Sequence, residues 1–532
     1  MLSTDTVLPR LVAARAAAQP EDPFVVLAET GTTWTYRQAD HDADRWAAAL
    51  HHAGVAAEDT VLVMLPPCTE AVAAWLGIAR LRAMEVPVNT GYVGNMLRYV
   101  VDDSRARVVI AHRDHLDAVL EVAATAEQLT SIVVVGGDGA LPALPALPEA
   151  PVDVVAADDF LDAADDVPVP EGPAPTGRDI ATILYTSGTT GPSKGVLVTW
   201  RQAELTATGI MPSERFDRTD AFYSGFPLFH MSGKGPLYAC ALVGARVVMR
   251  RRFETGAFWD DVRTHGATTT ILLGAMANFL HQQPARPDDA DTPLRDALFL
   301  PLISDLDGFR DRFGIEARTT FNMTETACCI LSDGSRLADA TSCGRVRPGY
   351  EARVVDADDV EVAPGELGEL VLRADEPWTL MAGYWRKPEA TVAAWRNQWL
   401  HTGDGFTRDA DGNFYFVDRI KDAIRRRGEN ISSFEVESEV NAHPAVLESA
   451  AVAVASEWGE DELKIVVVLQ PGATLAPSEL ADFLGPRVAR FMLPRYVEIV
   501  ERLPKTPTEK VKKVELRAAG VTGDTWDRLG AG

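Results

Sequence analysis

Apolar positions in the first third of the chain alternate between two spacings. Residues 59–65, 105–112 and 131–137 are short continuous apolar runs, whereas residues 69–83 carry apolar side chains at helical spacing. Short β-rich runs separated by helical periods are typical of a parallel sheet covered by helices. We therefore predict an α/β architecture for this part.

The pattern changes twice further along the chain. Residues 223–229, 245–250 and 268–276 predict further buried strands, after a Pro-, Ala- and Asp-rich connection at 137–178. From about residue 344 to 373, short alternating runs with Gly and Asp turns predict a small antiparallel unit.

The last hundred residues predict a separate α+β unit. A helix at 434–444 precedes strands at 448–456 and 464–470. The fold class we expect is therefore α/β. It has a large multi-layer N-terminal domain (1–420) with mostly parallel sheets plus a small antiparallel β unit, followed by a small mobile C-terminal domain (421–532).

Composition excludes several classes of protein. The chain has 532 residues, of which 46% are hydrophobic, so it can bury a large core and is not a disordered chain. Its 51 Lys and Arg against 77 Asp and Glu leave a net charge of −26, which disfavours a nucleic-acid partner. The apolar runs are much shorter than the ~20 residues of a membrane span, so we expect no membrane partner.

Cysteine usage and the N-terminus bear on location and assembly. The five cysteines have no CxxC spacing, which favours free thiols in the cytoplasm. The first twenty residues share arginines and alanines with transit peptides, but Pro9 and Pro20 fit the borders of a short amphipathic helix, the interpretation we prefer. The sequence permits a homodimer.

Residues 183–196, ILYTSGTTGPSKGV, carry the most chemistry. An apolar strand runs into a loop with three glycines, several hydroxyls and Lys194, which together suit phosphate oxygens. A Walker A loop requires Gly-Lys followed by Ser or Thr, whereas Lys194 lies between Ser193 and Gly195. A different phosphate-binding loop is therefore predicted.

This loop and four later motifs resemble the adenylate-forming superfamily of acyl-CoA synthetases, luciferases and peptide-synthetase adenylation domains. Residues 186–195 match the phosphate loop of this superfamily, and residues 321–325 match its aromatic-Gly-x-Thr-Glu motif. Its Thr-Gly-Asp motif is matched by residues 402–404, its hinge by 418–431 and its C-terminal lysine motif by 503–510. The order and spacing agree from about residue 30 to 517. Within this superfamily, the amino-acid sequence is most similar to the crotonobetaine/carnitine-CoA ligase-like branch.

The resemblance implies an enzyme that uses ATP and Mg²⁺ to convert a small carboxylic acid to its adenylate, and then transfers the acyl group to coenzyme A. The residues implied to bind nucleotide or coenzyme A are Thr186, Ser187, Gly188, Thr189, Thr190, Gly191, Lys194, Asn322, Thr324, Asp404, Tyr415, Arg419 and Gly428. Glu325 would hold Mg²⁺, and Lys510, Thr324 and Glu325 would be catalytic. A core position in its strand is an equal alternative for Tyr415.

The C-terminal motifs imply a domain rotation between two half-reactions. Lys510 would bridge the substrate carboxylate and the α-phosphate during adenylation. Lys421 occupies the hinge position, and Gly428 would let pantetheine pass close to the backbone.

Four residues are candidates for the acyl pocket: His230, Lys234, Leu300 and Pro301. A solvated surface lysine is at least as good an interpretation of Lys234. The family often has small residues where Leu300 and Pro301 stand, so a short, branched or aryl acid is favoured over a long fatty acid. Asn322 and Glu509 replace glycines of the family motifs.

Two alternatives remain open. The acceptor of the activated group could be other than coenzyme A, as in an amide synthetase, a carrier-protein loader or an ATP-dependent diazotase that uses nitrite. A non-catalytic nucleotide-binding protein with the same fold is the second alternative.

Overall fold

Four β-sheets organise the part of the chain that the computed structural model describes. The described residues are 6–136, 152–170, 172–186, 193–281, 283–303, 305–332, 337, 339, 341–419, 423–426, 429–456, 461–504, 511 and 513–530. The helices are α1 (Leu8–Ala18), α2 (Tyr36–His52), α3 (Thr69–Arg80), α4 (Gly94–Ser104), α5 (Leu116–Ala123), α6 (Ala157–Asp162), α7 (Trp200–Ile210), α8 (Met231–Val243), α9 (Phe258–His265), α10 (Gly274–His281), α11 (Leu306–Phe313), α12 (Pro388–Ala394), α13 (Ser433–Asn441), α14 (Pro477–Leu484) and α15 (Lys513–Ala519).

The strands follow the same chain order. They are β1 (Pro23–Leu27), β2 (Thr33–Thr35), β3 (Thr60–Met64), β4 (Met84–Pro87), β5 (Val108–His112), β6 (Ser131–Val135), β7 (Asp153–Ala156), β8 (Ile180–Thr186), β9 (Lys194–Thr199), β10 (Ala221–Ser224), β11 (Arg246–Met249), β12 (Thr269–Leu273), β13 (Asp296–Leu300), β14 (Glu316–Phe321), β15 (Ile330–Leu331), β16 (Ser342–Val346), β17 (Tyr350–Val355), β18 (Gly368–Ala374), β19 (Leu400–Arg408), β20 (Phe414–Arg419), β21 (Ala423–Arg426), β22 (Glu429–Ser432), β23 (Val446–Ala455), β24 (Asp461–Leu469), β25 (Tyr496–Ile499) and β26 (Trp526–Asp527).

The first sheet has seven strands in the order β7-β6-β5-β3-β4-β8-β9. Every neighbouring pair is parallel except the last, where β9 returns antiparallel to β8. Parallel strands buried on both faces read as continuous apolar runs, which is why β3 and β5 are buried along their whole length.

A thirteen-stranded sheet continues the N-terminal part, in the order β17-β18-β19-β20-β16-β15-β14-β13-β12-β10-β11-β1-β2. Strands β1, β11, β10, β12, β13 and β14 are parallel, and β15 to β20 pair antiparallel beyond them. This arrangement confirms the predicted mixture of mostly parallel sheets and a small antiparallel unit.

The C-terminal part is a small α+β unit. A hairpin of β21 and β22 precedes α13, and a four-stranded sheet has the order β23-β24-β25-β26, in which β24 and β25 alone are parallel. One hydrophobic cluster runs from the first sheet, at Leu62 and Val88, into this unit at Ile431 and Ala489. The two parts of the chain therefore share buried apolar surface.

Most predicted elements are confirmed, and three need correction. The helix predicted at 69–83 is α3, and β3, β5 and β6 lie within the three predicted runs. The strand predicted at 223–229 is wrong beyond Ser224, because Pro227 has no N–H to donate to a ladder. The strand predicted at 268–276 ends at Leu273, where α10 begins, and the connection predicted at 137–178 contains β7 and α6.

No helix of the described residues is both long and apolar enough to cross a membrane. All five cysteines are free. The predicted N-terminal helix is present as α1.

Candidate active site

The two residues that flank the glycine-rich loop are held side by side by strand pairing. Thr186 is the last residue of β8, Lys194 is the first of β9, and the two are antiparallel partners in the register of the pair. The predicted loop residues Ser187, Gly188, Thr189, Thr190 and Gly191 lie outside the described residues. The described flanks therefore bring a hydroxyl and a cation together at one edge of the sheet.

Lys194 and Glu325 are connected through an aromatic side chain. The Lys194 Nζ lies 4.8 Å from the centroid of the Tyr384 ring, a distance at which the ring face attracts a cation. The Tyr384 hydroxyl donates a hydrogen bond to the Glu325 Oε1 at 3.0 Å. A cation and a buried carboxylate are thus oriented by the same tyrosine.

Backbone pairing places this tyrosine. The segment around residue 384 runs beside β9, because the Trp385 amide donates to the Gly195 carbonyl at 2.7 Å and the Leu197 amide donates to the Gly383 carbonyl at 2.9 Å. A Cβ at Gly195 would lie only 2.7 Å from the Ile183 side chain, so this close approach requires glycine.

Helix α7 positions the segment that contains Thr324 and Glu325. The buried Gln202 amide nitrogen donates to the carbonyls of Thr324 and Thr326, each at 2.8 Å. The Thr326 hydroxyl in turn donates to the Asn322 Oδ1 at 3.4 Å. Only 8% of the Glu325 surface is exposed, so its carboxylate faces the interior of the site rather than bulk water.

A cleft holding about 600 Å³ of empty space, part of it open to solvent, adjoins these residues. Thr186, Thr324 and His230 line it together with Glu429 and Phe491 of the C-terminal unit. The His230 Nε2 lies 3.0 Å from the Glu429 Oε2, an ion pair when the imidazole is protonated. Three predicted site residues are therefore brought together where the two parts of the chain meet.

Lys234 is not brought to this cleft. Lys234 lies in α8, four residues after His230, which precedes the helix. Only 1% of the Lys234 side chain is exposed, and its Nζ is 2.7 Å from the Glu85 Oε2. The same Nζ lies 3.8 Å from the Trp75 ring centroid. Burial lowers the pKa of Lys234 and raises the pKa of Glu85. The structure thus places Lys234 in a core ion pair, neither a solvated lysine nor a group lining the cleft.

Leu300 and Pro301 lie at the carboxyl end of β13. Leu300 is half-buried against the main hydrophobic cluster, and Pro301 is exposed and packs near Gly274 at the start of α10. The cleft's described lining includes neither residue.

Strand pairing also puts Asp404 beside Arg419. The two residues are partners in the register of β19 and β20, and the Asp404 side chain is buried. The rings of Phe321 and Phe406 pack edge to face with centroids 4.9 Å apart, which holds the end of β14 against β19. Asp404 is thereby anchored near the segment that carries Asn322 and Thr324.

Tyr415 lies in β20 and makes a local contact. Its hydroxyl donates to the Asp409 Oδ2 at 3.0 Å. Burial and this acidic partner raise its pKa to about 12, so it is a neutral phenol at physiological pH. Lys421, Gly428 and Lys510 lie outside the described residues.

Sequence reasoning missed Tyr384, Gln202 and Glu429. Tyr384 stands in the segment GYWRKPE, 59 residues from Glu325, and no local spacing relates the two. Glu429 directly follows the predicted Gly428 turn, and that adjacency is the one available signal.

Comparison with protein families identifies the class of protein to which the chain belongs. Residues 12–385 match the AMP-binding enzyme family, and residues 435–510 match the AMP-binding enzyme C-terminal domain. The chain belongs to the AMP-binding enzyme family, within the adenylate-forming superfamily.

Individual relatives agree with this assignment. The chain is 30% identical over 492 residues to crotonobetaine/carnitine–CoA ligase of Salmonella typhi, covering 91% of this chain and 93% of that protein. The amide bond synthetase McbA from Marinactinospora thermotolerans has a TM-score of 0.79 at 23% identity, covering 96% of this chain and 99% of that chain.

Two structures of one enzyme differ in their similarity to this chain. The o-succinylbenzoate CoA synthetase MenE from Bacillus subtilis, as a double mutant bound to the product analogue OSB-NCoA, has a TM-score of 0.82 at 23% identity and covers 97% of this chain and 99% of that chain. MenE in complex with AMP has a TM-score of 0.65 at 23% identity, covering 96% and 98%.

Proposed function

We propose that this protein is an AMP-forming acid–thiol ligase that converts a carboxylic acid to its adenylate with ATP and then to a coenzyme A thioester. The observation that carries the proposal is the Lys194–Tyr384–Glu325 arrangement beside a cleft lined by Thr186 and Thr324. A cation and oriented donors are what developing phosphate charge requires. The family match from residue 12 to 385 supports the same chemistry.

The proposed reaction has two half-reactions. A carboxylate oxygen of the acid attacks the α-phosphorus of ATP, and the bond to the departing pyrophosphate breaks. The thiolate sulfur of coenzyme A then attacks the acyl carbon, and AMP leaves with the bonding electrons. Oxide is too poor a leaving group for direct thiol attack on the acid, which is why the adenylate is needed.

Each nucleotide group has a proposed partner in the chain. Thr186, Lys194 and the loop residues 187–191 bind the β- and γ-phosphates, and Thr324, two residues after Asn322, approaches the α-phosphate. Asp404 accepts hydrogen bonds from both ribose hydroxyls, since a carboxylate has two oxygens for a vicinal diol. Arg419 beside it adds a further ribose contact, and Tyr415 is proposed only to border this region.

The residues present fit a magnesium ion. Mg²⁺ is commonly held by one or two carboxylates together with substrate phosphates rather than by an all-protein cage. The described residues hold no group of three or more His, Cys, Asp or Glu that would form such a cage, and Glu325 is a single buried carboxylate. When bound, the ion would neutralise phosphate charge.

We propose that the C-terminal domain, 421–532, rotates about Lys421 between the half-reactions. In the proposed domain arrangement for adenylation, Lys510 is at the active site. In the proposed arrangement for thioester formation, Gly428 takes its place there. The higher TM-score with MenE bound to a coenzyme A product analogue than with its AMP complex supports assigning the present arrangement to the thioester step. The His230–Glu429 contact is proposed to hold it.

The substrate is proposed to be a small acid, short, branched or aromatic, because Leu300 and Pro301 occupy positions where the family often has small residues. His230 is proposed to border the acyl group. The free thiols support a reducing, cytoplasmic setting.

Pyrophosphate release with ATP and Mg²⁺ tests this function. The assay uses a panel of carboxylic acids and nitrite, each with and without coenzyme A, and mass spectrometry identifies the product. Acid-dependent release with a thioester product is the expected result. Release that is indifferent to coenzyme A would move the function to another acceptor, such as the amine of an amide synthetase. A chain that binds ATP but releases no pyrophosphate with any acid would favour the non-catalytic alternative.

A further inference from the structure

Helix α4 contacts both flanks of the glycine-rich loop. On one side, the Tyr185 hydroxyl donates to the Asp103 Oδ2 at 2.7 Å. On the other side, the Tyr99 hydroxyl donates to the Ser193 carbonyl at 2.7 Å. Tyr185 and Ser193 are the described residues nearest the two ends of segment 187–192 apart from Thr186, so one helix holds the chain before and after this segment.

The two contacts form one unit. The rings of Tyr99 and Tyr185 pack edge to face, with centroids 6.3 Å apart and planes at 89°. Tyr99 and Asp103 are one helical turn apart in α4, which places both side chains on the same face of the helix.

Asp103 is itself held by a third segment. Its Oδ1 accepts from the Lys387 Nζ at 3.1 Å, and its carbonyl accepts from the Trp385 Nε1 at 2.9 Å. Only 9% of its side chain is exposed, and this carboxylate raises the pKa of Lys387, which therefore stays protonated. The segment that carries Tyr384 to Glu325 is thus joined to the same aspartate.

We propose that Asp103 and Tyr99 are positioning residues that hold Tyr185 and Ser193 at the spacing at which the intervening segment binds the β- and γ-phosphates of ATP. The inference rests on the proposed function, and it adds two residues that no motif assigns. Holding both ends in advance removes an ordering cost that nucleotide binding would otherwise have to meet. Neither side chain needs to touch the nucleotide for this effect.

The test compares ATP with AMP, because AMP lacks the two phosphates that the segment is proposed to hold. Dissociation constants for both nucleotides are measured by calorimetry for the wild-type chain, Tyr99→Phe, Asp103→Ala and Tyr185→Phe. Asp102→Ala is the matched control, since Asp102 is the exposed neighbour of Asp103 in α4. Thermal unfolding of each variant reports its folding.

We expect each of the three variants to weaken ATP binding by at least about fivefold, the effect of one hydrogen bond, with AMP binding and the control unchanged. Because Tyr185→Phe and Asp103→Ala both remove the hydrogen bond between these two side chains, the double variant is expected to lose less than the product of the two single effects. Equal losses for ATP and AMP, or fully multiplicative losses in the double variant, would overturn the proposal. Wild-type protein that binds neither nucleotide would overturn the proposed function, and this inference with it.

Discussion

The hydroxyl of Tyr384 donates a 3.0 Å hydrogen bond to Glu325 Oε1, while the ring of the same residue lies 4.8 Å from the Lys194 ammonium. One side chain therefore fixes the direction of the carboxylate proposed for Mg²⁺ and borders the lysine proposed for the phosphates. Lys194 belongs to β9 of the seven-stranded sheet, whereas Glu325 lies in the segment that follows β14 of the thirteen-stranded sheet. Their separation therefore depends on the residue between them.

Tyr384→Phe tests this arrangement. The variant keeps the ring beside Lys194 but leaves Glu325 without its hydroxyl donor, so the carboxylate loses orientation rather than charge. We expect about a tenfold fall in the rate of pyrophosphate release and a higher Mg²⁺ concentration at half-maximal rate. Tyr350→Phe, which loses a buried hydroxyl bonded to the Thr379 carbonyl, is the control. A normal Mg²⁺ dependence in Tyr384→Phe would argue against the orienting role.

The buried pair of Lys234 and Glu85 predicts an asymmetric effect on stability. Lys234→Met leaves the Glu85 carboxylate buried without its cation, and we expect a loss of about 3–5 kcal/mol in the free energy of unfolding. The double variant Lys234→Met with Glu85→Gln removes the stranded charge and is expected to recover part of that loss. Urea unfolding measures both. A double variant less stable than Lys234→Met would contradict this account of the pair.

That pair also shows what the sequence could and could not predict. The alternation of apolar runs along 59–137 is local, so α3 and the parallel strands beside it were predictable from periodicity. The contact between Lys234 and Glu85 spans 149 residues, and it depends on how β4 and α8 pack rather than on any spacing. From the sequence, a lysine four residues after His230 was at least as compatible with a solvated surface as with a polar substrate group, whereas packing turned its side chain into the core.

The residues of the candidate site also divide into those that the local sequence predicts and those that depend on how distant segments pack. Thr186 and Lys194 at the ends of their strands, and Asp404 within β19, were predicted as site residues because the motif sequences around them are specific. Tyr384 is placed by backbone pairing beside β9, and Gln202 donates to two backbone carbonyls. Neither interaction requires a recognisable local sequence pattern. Glu429 meets His230 only when the C-terminal unit is docked, an arrangement that the linear sequence does not encode locally.

Asp359 gives a pH-dependent prediction outside the site. Hydrogen bonds from the Arg396 guanidinium lower its pKa to about 2, from an ordinary value of 3.8. A lowered carboxyl pKa contributes stability above pH ~4, and that stability is lost as the pH falls through about 2. Asp359→Asn is therefore expected to lower the thermal midpoint by about 1 °C at pH 7, with the difference shrinking below pH 4. If the difference in thermal midpoint between the wild-type chain and Asp359→Asn grew as the pH fell, the pKa of Asp359 would not be lowered in the folded state.

Lys510→Ala separates the two half-reactions. If Lys510 bridges the substrate carboxylate and the α-phosphate, the variant loses pyrophosphate release while it still converts a supplied acyl-adenylate to the thioester. Its neighbour Lys505→Ala controls for the loss of one positive charge in the same segment. Circular dichroism confirms that the variant is folded. Full pyrophosphate release by Lys510→Ala would exclude this residue from adenylation.

Glu429→Ala is expected to affect the other half-reaction. The Glu429 carboxylate lies 3.0 Å from His230 across the meeting of the two parts of the chain, and both line the cleft. Because the contact exists in the arrangement proposed for thioester formation, its loss should slow that step about fivefold while adenylation changes little. The exposed Glu501→Ala, in the same C-terminal unit, should leave both steps unchanged. Single-turnover measurements with acid and ATP, then with preformed adenylate and coenzyme A, resolve the steps. Equal slowing of both steps would indicate that Glu429 stabilises the fold of its domain rather than this arrangement.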